Sequence, residues 1–225
     1  CGCWLADNRL QNIFSTLLTT YGPRHWWPGE TPFEVCVGAI LTQNTNWGNV
    51  EKAIVNLKTA DRLSITGIST LLPDELAALI RPAGYFNVKA TRLQAFTGFV
   101  QQKYHDSLDQ LFAGPWQTTR HELLMVKGIG PETADSILLY AGQKPSFVVD
   151  AYTRRIFSRL GLVDEQISYD QLRNYFMDRL TLDTALFNEY HALIVELGKQ
   201  ACRPRPRCAA CCLSAGCQYY ASNTA

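Results

Sequence analysis

The 225 residues suffice for one large or two small domains with a sizeable core. Hydrophobic residues make up 47% and charged residues 18%, which excludes a disordered chain. The net charge of +1 excludes a global basic field, so any nucleic-acid surface must be a local patch.

Residues 7–21 carry Leu10, Ile13, Phe14, Leu17 and Leu18 at helical spacing and predict an amphipathic helix. The loop that follows holds Trp26-Trp27-Pro28, two large aromatics that either anchor the loop or form a ligand surface. Thr31-Pro32-Phe33-Glu34 is a capping box with proline at the first helical position. The helix it opens, 33–42, is apolar nearly all round and should be central. It ends in Thr42-Gln43-Asn44-Thr45-Asn46-Trp47, more amides than a helix end needs. A helix is expected over 47–59, and two short ones over 63–80 broken before Pro73. Gly84-Tyr85-Phe86-Asn87-Val88-Lys89-Ala90 opens a long helix to about 103, and shorter ones over 106–112 and 117–126 follow.

At 119–141 two helical runs meet at Gly128-Ile129-Gly130. The glycines permit a hairpin that side chains would obstruct. Pro131 and Glu132 suit the first turn of the next helix, whose buried face is Ala134, Ile137, Leu138 and Ala141. The free N–H groups of such a helix start can hold a phosphate, although a bare glycine turn also simply packs two helices. Asp150 follows an apolar stretch and is placed to cap a helix over 151–160, on which Arg154, Arg155 and Arg159 form a basic face and which Gly161 closes in a left-handed conformation. Helices over 168–179 and 183–200 run on into the cysteines.

Five of the eight cysteines crowd into 202–217, which points to a metal site in a reducing cytoplasm rather than to a disulfide scaffold. Cys36 reads as a core residue, and Cys1 and Cys3 have no assigned part. Cys202, Cys208, Cys211 or Cys212, and Cys217 can supply four thiolates to zinc or to an iron–sulfur cluster, and spacing alone does not separate the two. Arg203, Arg205 and Arg207 lie inside the first interval, on a stiff proline-rich loop. No apolar run reaches membrane-spanning length and no signal peptide is recognisable, so a cytoplasmic, nucleoid-associated protein is expected.

Val126-Lys127-Gly128-Ile129-Gly130, Thr133-Ala134 and Val148-Val149-Asp150 with Arg154 resemble the helix-hairpin-helix and aspartate signature of the endonuclease III superfamily of DNA glycosylases. The cysteine segment resembles the [4Fe–4S] loop of the same enzymes, with a first interval one residue shorter than usual and with the spacing that selects Cys211 over Cys212. The resemblance spans about 10–217 and implies an all-α, two-domain fold. A helical barrel over 26–145 and a cluster domain made of 1–25 with 146–225 would enclose a DNA cleft. It implies Asp150 as the catalytic carboxylate, Gln43 or Asn44 as the residue filling the gap left by an extruded base, and Cys202, Cys208, Cys211 and Cys217 as ligands of a [4Fe–4S] cluster, with zinc the alternative. Gly128, Gly130, Thr133, Arg205 and Arg207 would meet DNA.

Bifunctional members carry a nucleophilic lysine where this chain has Glu132, so the expected enzyme is a monofunctional, monomeric glycosylase on double-stranded DNA with a damaged base. Trp26, Trp27 and Trp47 most resemble the base pocket of the MagIII-type 3-methyladenine glycosylases, which implies an alkylated purine as substrate. The alternatives are a bifunctional glycosylase/lyase on oxidised pyrimidines, a mismatch-type glycosylase, and a non-catalytic DNA-binding iron–sulfur module.

Overall fold

The computed structural model describes residues 8–26 and 29–223. Trp27, expected in the base pocket, lies outside the described residues, as do Pro28, Cys1 and Cys3. The described residues form helices and connections, with no strand among them. The helices are α1 (Arg9–Tyr21), α2 (Pro32–Leu41), α3 (Trp47–Thr59), α4 (Ile65–Ser69), α5 (Pro73–Leu79), α6 (Phe86–Tyr104), α7 (Leu108–Ala113) and α8 (Trp116–Met125). After them come α9 (Pro131–Ser136), which widens into a π-helical turn at Ile137–Ala141, then α10 (Ala151–Arg159), α11 (Tyr169–Met177), α12 (Thr184–Gln200) and α13 (Gln218–Asn223). The chain divides into two compact units, residues 27–144 and residues 1–26 with 145–225.

The first unit is built around α2. Thr31 Oγ1 accepts from the Glu34 N–H at 3.1 Å, which fixes the helix start. Val35, Val37, Ile40 and Leu41 are all but completely buried, so α2 is wrapped by α3, α6 and the 137–141 turn. A Cβ at Gly38 would stand 3.2 Å from the Trp47 ring, so the glycine gives that indole a seat on α2. Lys89 is 1% exposed. Its ammonium donates to the carbonyls of Leu41 at 2.9 Å and Ala83 at 2.7 Å, the last residues of two helical segments, whose carbonyls lack a partner within their own helix. Burial and then the nearby Arg92 charge lower its pKa.

The second unit has an aromatic core. Phe147 stacks on Phe176 with ring centres 4.1 Å apart, Phe157 meets Phe176 edge-on at 4.7 Å, and Tyr190 donates its O–H to Leu10 of α1 at 2.8 Å. Ser146 accepts from the buried Arg173 at 2.9 Å. Ser146, Phe147, Val148 and Val149 are all buried, so the chain leading into α10 is gripped residue by residue. That grip sets where Asp150 emerges.

Candidate active site

Asp150 is the N-cap of α10. Its Oδ1 accepts from the Thr153 N–H at 2.8 Å and from the Thr153 O–H at 2.9 Å, and its own N–H donates to Thr153 Oγ1 at 3.3 Å. Oδ2 lies 3.6 Å from Nε2 of His191, which is 5% exposed on α12. Burial pushes the carboxyl up, but His191 and the two Thr153 donors outweigh it and hold the group below its usual range. Asp150 is therefore a carboxylate at neutral pH. His191 was not singled out from the sequence. A signal was available, because it is the polar member of the apolar stripe Phe187, Tyr190, His191 and Ile194.

Trp26 belongs to the same unit, and its ring lies 5.8 Å from the His191 ring, tilted by 33°. Trp47 belongs to the other unit, half-buried against Gly38, with its indole N–H donating to Glu51 at 2.8 Å.

The hairpin in residues 27–144 differs in one respect from the sequence expectation. The N–H of Ile129 donates to the Val126 carbonyl at 3.1 Å and Gly128 has φ +90°, the pattern of a turn whose third position favours glycine. A Cβ there would also lie 2.3 Å from Cγ of Arg92. Gly130 has φ −90° and a Cβ on it would meet nothing within 4 Å, so neither backbone conformation nor crowding requires a glycine there. No side chain caps α9 at Gly130. Arg120 of α8 grips the buried Asp135 of α9 through two bonds of 2.8 and 3.0 Å, which locks the two helices together.

Gln43, which the resemblance sets with Asn44 at the gap left by an extruded base, donates its amide N–H groups to the Gly128 carbonyl at 3.1 Å and to Thr133 Oγ1 at 2.8 Å, and its oxygen accepts from Arg92. Gln43 is thus a strut behind the hairpin. Thr133, expected on the DNA face, is 6% exposed and its hydroxyl is engaged by that strut. Asn44 is exposed, in a left-handed conformation at φ +54° that asparagine tolerates. Glu132 is exposed at the start of α9.

Cys202, Cys208, Cys211 and Cys217 line one small cavity of about 20 Å³, together with Arg159 and Tyr219. Cys211 rather than Cys212 faces it. Among the described residues no three His, Cys, Asp or Glu side chains gather closely enough to hold a single ion. Four thiols around one pocket nevertheless form a donor set suited to a soft metal group. Arg155 and Arg159, expected on a basic face, turn to the cysteine loop instead. Arg155 donates to the Cys202 carbonyl at 2.9 Å and Arg159 to those of Arg203 at 2.7 Å and Pro204 at 3.1 Å. Arg205 and Arg207 remain exposed.

Residues 37–181 match the HhH-GPD superfamily of base excision DNA repair proteins, and the chain belongs to that superfamily as a DNA N-glycosylase. It is 48% identical over 95% of its length to a Methanocaldococcus jannaschii protein, 99% of which is covered and whose assignment as a DNA repair glycosylase is itself provisional. Endonuclease III of Sulfolobus acidocaldarius is 30% identical over 96% of this chain and 86% of its own. Among solved structures, the Helicobacter pylori 3-methyladenine DNA glycosylase MagIII bound to 1,N6-ethenoadenine is 33% identical with a TM-score of 0.73, covering 85% of this chain and 95% of that one. A non-covalent endonuclease III–DNA complex shares the fold, with a TM-score of 0.83 over 98% of this chain and 99% of that one at 21% identity.

Proposed function

We propose that the chain is a monofunctional glycosylase that releases an alkylated purine of the 3-methyladenine type from double-stranded DNA, with Asp150 as the catalytic carboxylate. The observation that carries this reading is the ionised Asp150, fixed at the head of α10 with one oxygen saturated by Thr153. As the bond from C1′ to the base nitrogen breaks, its electron pair leaves with the base and positive charge develops on the sugar. A fixed carboxylate stabilises that charge without having to reorganise. Water then adds to C1′ and gives up a proton, for which Asp150 Oδ2 is the available acceptor. An alkylated purine is already cationic and leaves readily, so no strong general acid is needed. Electron-rich indoles such as Trp26 and Trp47 suit a cationic base. The likeness to MagIII supports the substrate class.

Glu132 stands where a lyase would need an amine, and a carboxylate forms no Schiff base. The uncapped start of α9 and the exposed Arg205 and Arg207 would take phosphates, and Asn44 would fill the gap in the duplex. Cys202, Cys208, Cys211 and Cys217 would hold a [4Fe–4S] cluster, which supplies a rigid clip for the loop and a redox-capable centre.

The test is a panel of duplexes with alkylated, deaminated and oxidised bases, scored for base release with and without alkali. Release should be fastest for the alkylated purine and should leave an abasic site intact until alkali is added. Asp150→Asn should keep the helix cap yet lower release by about two orders of magnitude or more. A borohydride-trapped adduct that disappears in Lys127→Ala would make the enzyme bifunctional and overturn the monofunctional reading.

A further inference from the structure

We propose that His191 is a positioning residue for the Asp150 carboxylate, holding Oδ2 while Thr153 holds Oδ1, so that the charge meets the sugar in one orientation. This deepens the reading of Asp150 as the catalytic carboxylate and rests on it. Three observations converge. Nε2 of His191 lies 3.6 Å from Oδ2, near enough to close into a hydrogen bond when substrate binds. The imidazole is 5% exposed, and burying so polar a ring is costly unless a partner compensates it. The Trp26 indole packs against it at 5.8 Å and restricts its rotation.

Other charged groups on the elements packed around α12 are directed elsewhere. Glu189 accepts from the N–H groups of Arg24 and His25, and Glu196 pairs with the Arg24 guanidinium at 3.2 Å. From α1, burial first and then the nearby Cys212, Cys211 and Glu196 push the Tyr21 hydroxyl up to about 12. From α10, Arg155 is bound to the carbonyls of Cys202 and Gly198 and stacks on Tyr152. Arg154, next after the Thr153 cap, is the remaining charge on the first turn of α10. Asp150 Oδ2, 3.6 Å from Nε2, is the carboxylate oxygen beside the imidazole.

The sign of the pH effect follows from the forces on Asp150. Burial raises its pKa, and His191 with Thr153 lowers it further than burial raises it. An enzyme that needs the carboxylate loses activity as pH falls through that depressed value. Without His191 the burial cost is less opposed, and the loss should begin at higher pH.

The experiment measures single-turnover base release against pH for wild type, His191→Phe, His191→Gln and Asp150→Asn, with duplex affinity alongside. His191→Phe keeps a ring against Trp26 and should lose about ten- to a hundredfold in plateau rate, the scale of a misplaced reacting group. Its acid limb should move to higher pH while its affinity for undamaged duplex stays at the wild-type value. His191→Gln can still donate to Oδ2, so it should regain most of the plateau rate but keep the raised limb, because it carries no charge. A wild-type rate and limb in His191→Phe would overturn the inference. So would equal rate losses in both variants with an unmoved limb, which would mean simple packing. Should His191→Phe fail to fold, the position of the His191→Gln limb decides. If Asp150→Asn itself retains full activity, the reading of Asp150 fails and takes this one with it; if Asp150→Asn is inactive while the His191 variants behave as wild type, only the role of His191 falls.

Discussion

Arg155 and Arg207 carry the same charge a few residues from the same cysteines, yet their surroundings give them different work. Arg155 reaches inward to the carbonyls of Cys202 and Gly198, at 2.9 and 3.3 Å, whereas Arg207 is exposed. Arg155→Ala should therefore cost about 1–3 kcal/mol of stability, since two carbonyls lose a charged donor, with no change in the salt dependence of DNA binding. Arg207→Ala should leave stability within about 0.5 kcal/mol and lower the salt slope of duplex binding by about one unit. Thermal unfolding and salt titration of the two variants check this, and an equal slope change in both would contradict it. The sequence could not separate these arginines, because composition and spacing report charge but not which carbonyl it reaches. Asp150 was easier to read: its place before a helix already fixes the direction of its carboxylate. The long-range partners Gln43–Thr133 and Asp150–His191 are separated by 90 and 41 positions, beyond the reach of any local pattern.

Helices were legible at the scale of elements, because apolar spacing and capping residues are local. The Thr31 cap on the Glu34 N–H and the positive φ of +77° at Gly161 both follow from short-range chemistry, although the Glu34 carboxylate pairs with Lys58 instead of closing a capping box. The π-helical turn at 137–141 was not legible. Ile137 to Ala141 are buried in unbroken succession, and a stripe pattern cannot register a face that has no exposed side. The hairpin glycines show the same divide, since the two look alike in sequence but differ in φ and in space. Gly128→Ala meets a left-handed backbone and the Arg92 side chain together, and should cost about 1–3 kcal/mol. Gly130→Ala should leave the melting temperature within about 2 °C, because its backbone is ordinary and its surroundings open. If phosphate approaches the start of α9, the added methyl of Gly130→Ala should still weaken binding to every duplex sequence alike. Unaltered affinity in that variant would remove Gly130 from the interface.

The two units divide the molecule's labour differently. Residues 27–144 hold the hairpin around an apolar helix, and among the described residues of the other unit a single helix, α10, carries both the capping aspartate and the arginines bound to the cysteine loop. Arg159 adds a ring contact at 4.8 Å to Tyr219, while the backbone carbonyl of Arg159 accepts from the Cys217 thiol at 3.4 Å. Loosening the cysteine loop should thus be felt at Asp150 before it is felt at the hairpin. Purified protein should be yellow-brown with about four irons per chain, and Cys208→Ser should lose them. In that variant, hydrogen exchange should open amides along α10 and the 202–217 loop while those of α2 and α6 stay protected, and base release should fall more steeply than binding to undamaged duplex. The physical reason is that the loop's carbonyls are the acceptors holding Arg155 and Arg159, and with them the helix that Asp150 caps. Protein carrying one zinc in place of iron would overturn the cluster and keep the four-thiol site. Uniform opening of both units in Cys208→Ser would instead show that the cysteine loop supports the whole chain rather than the carboxylate's own unit.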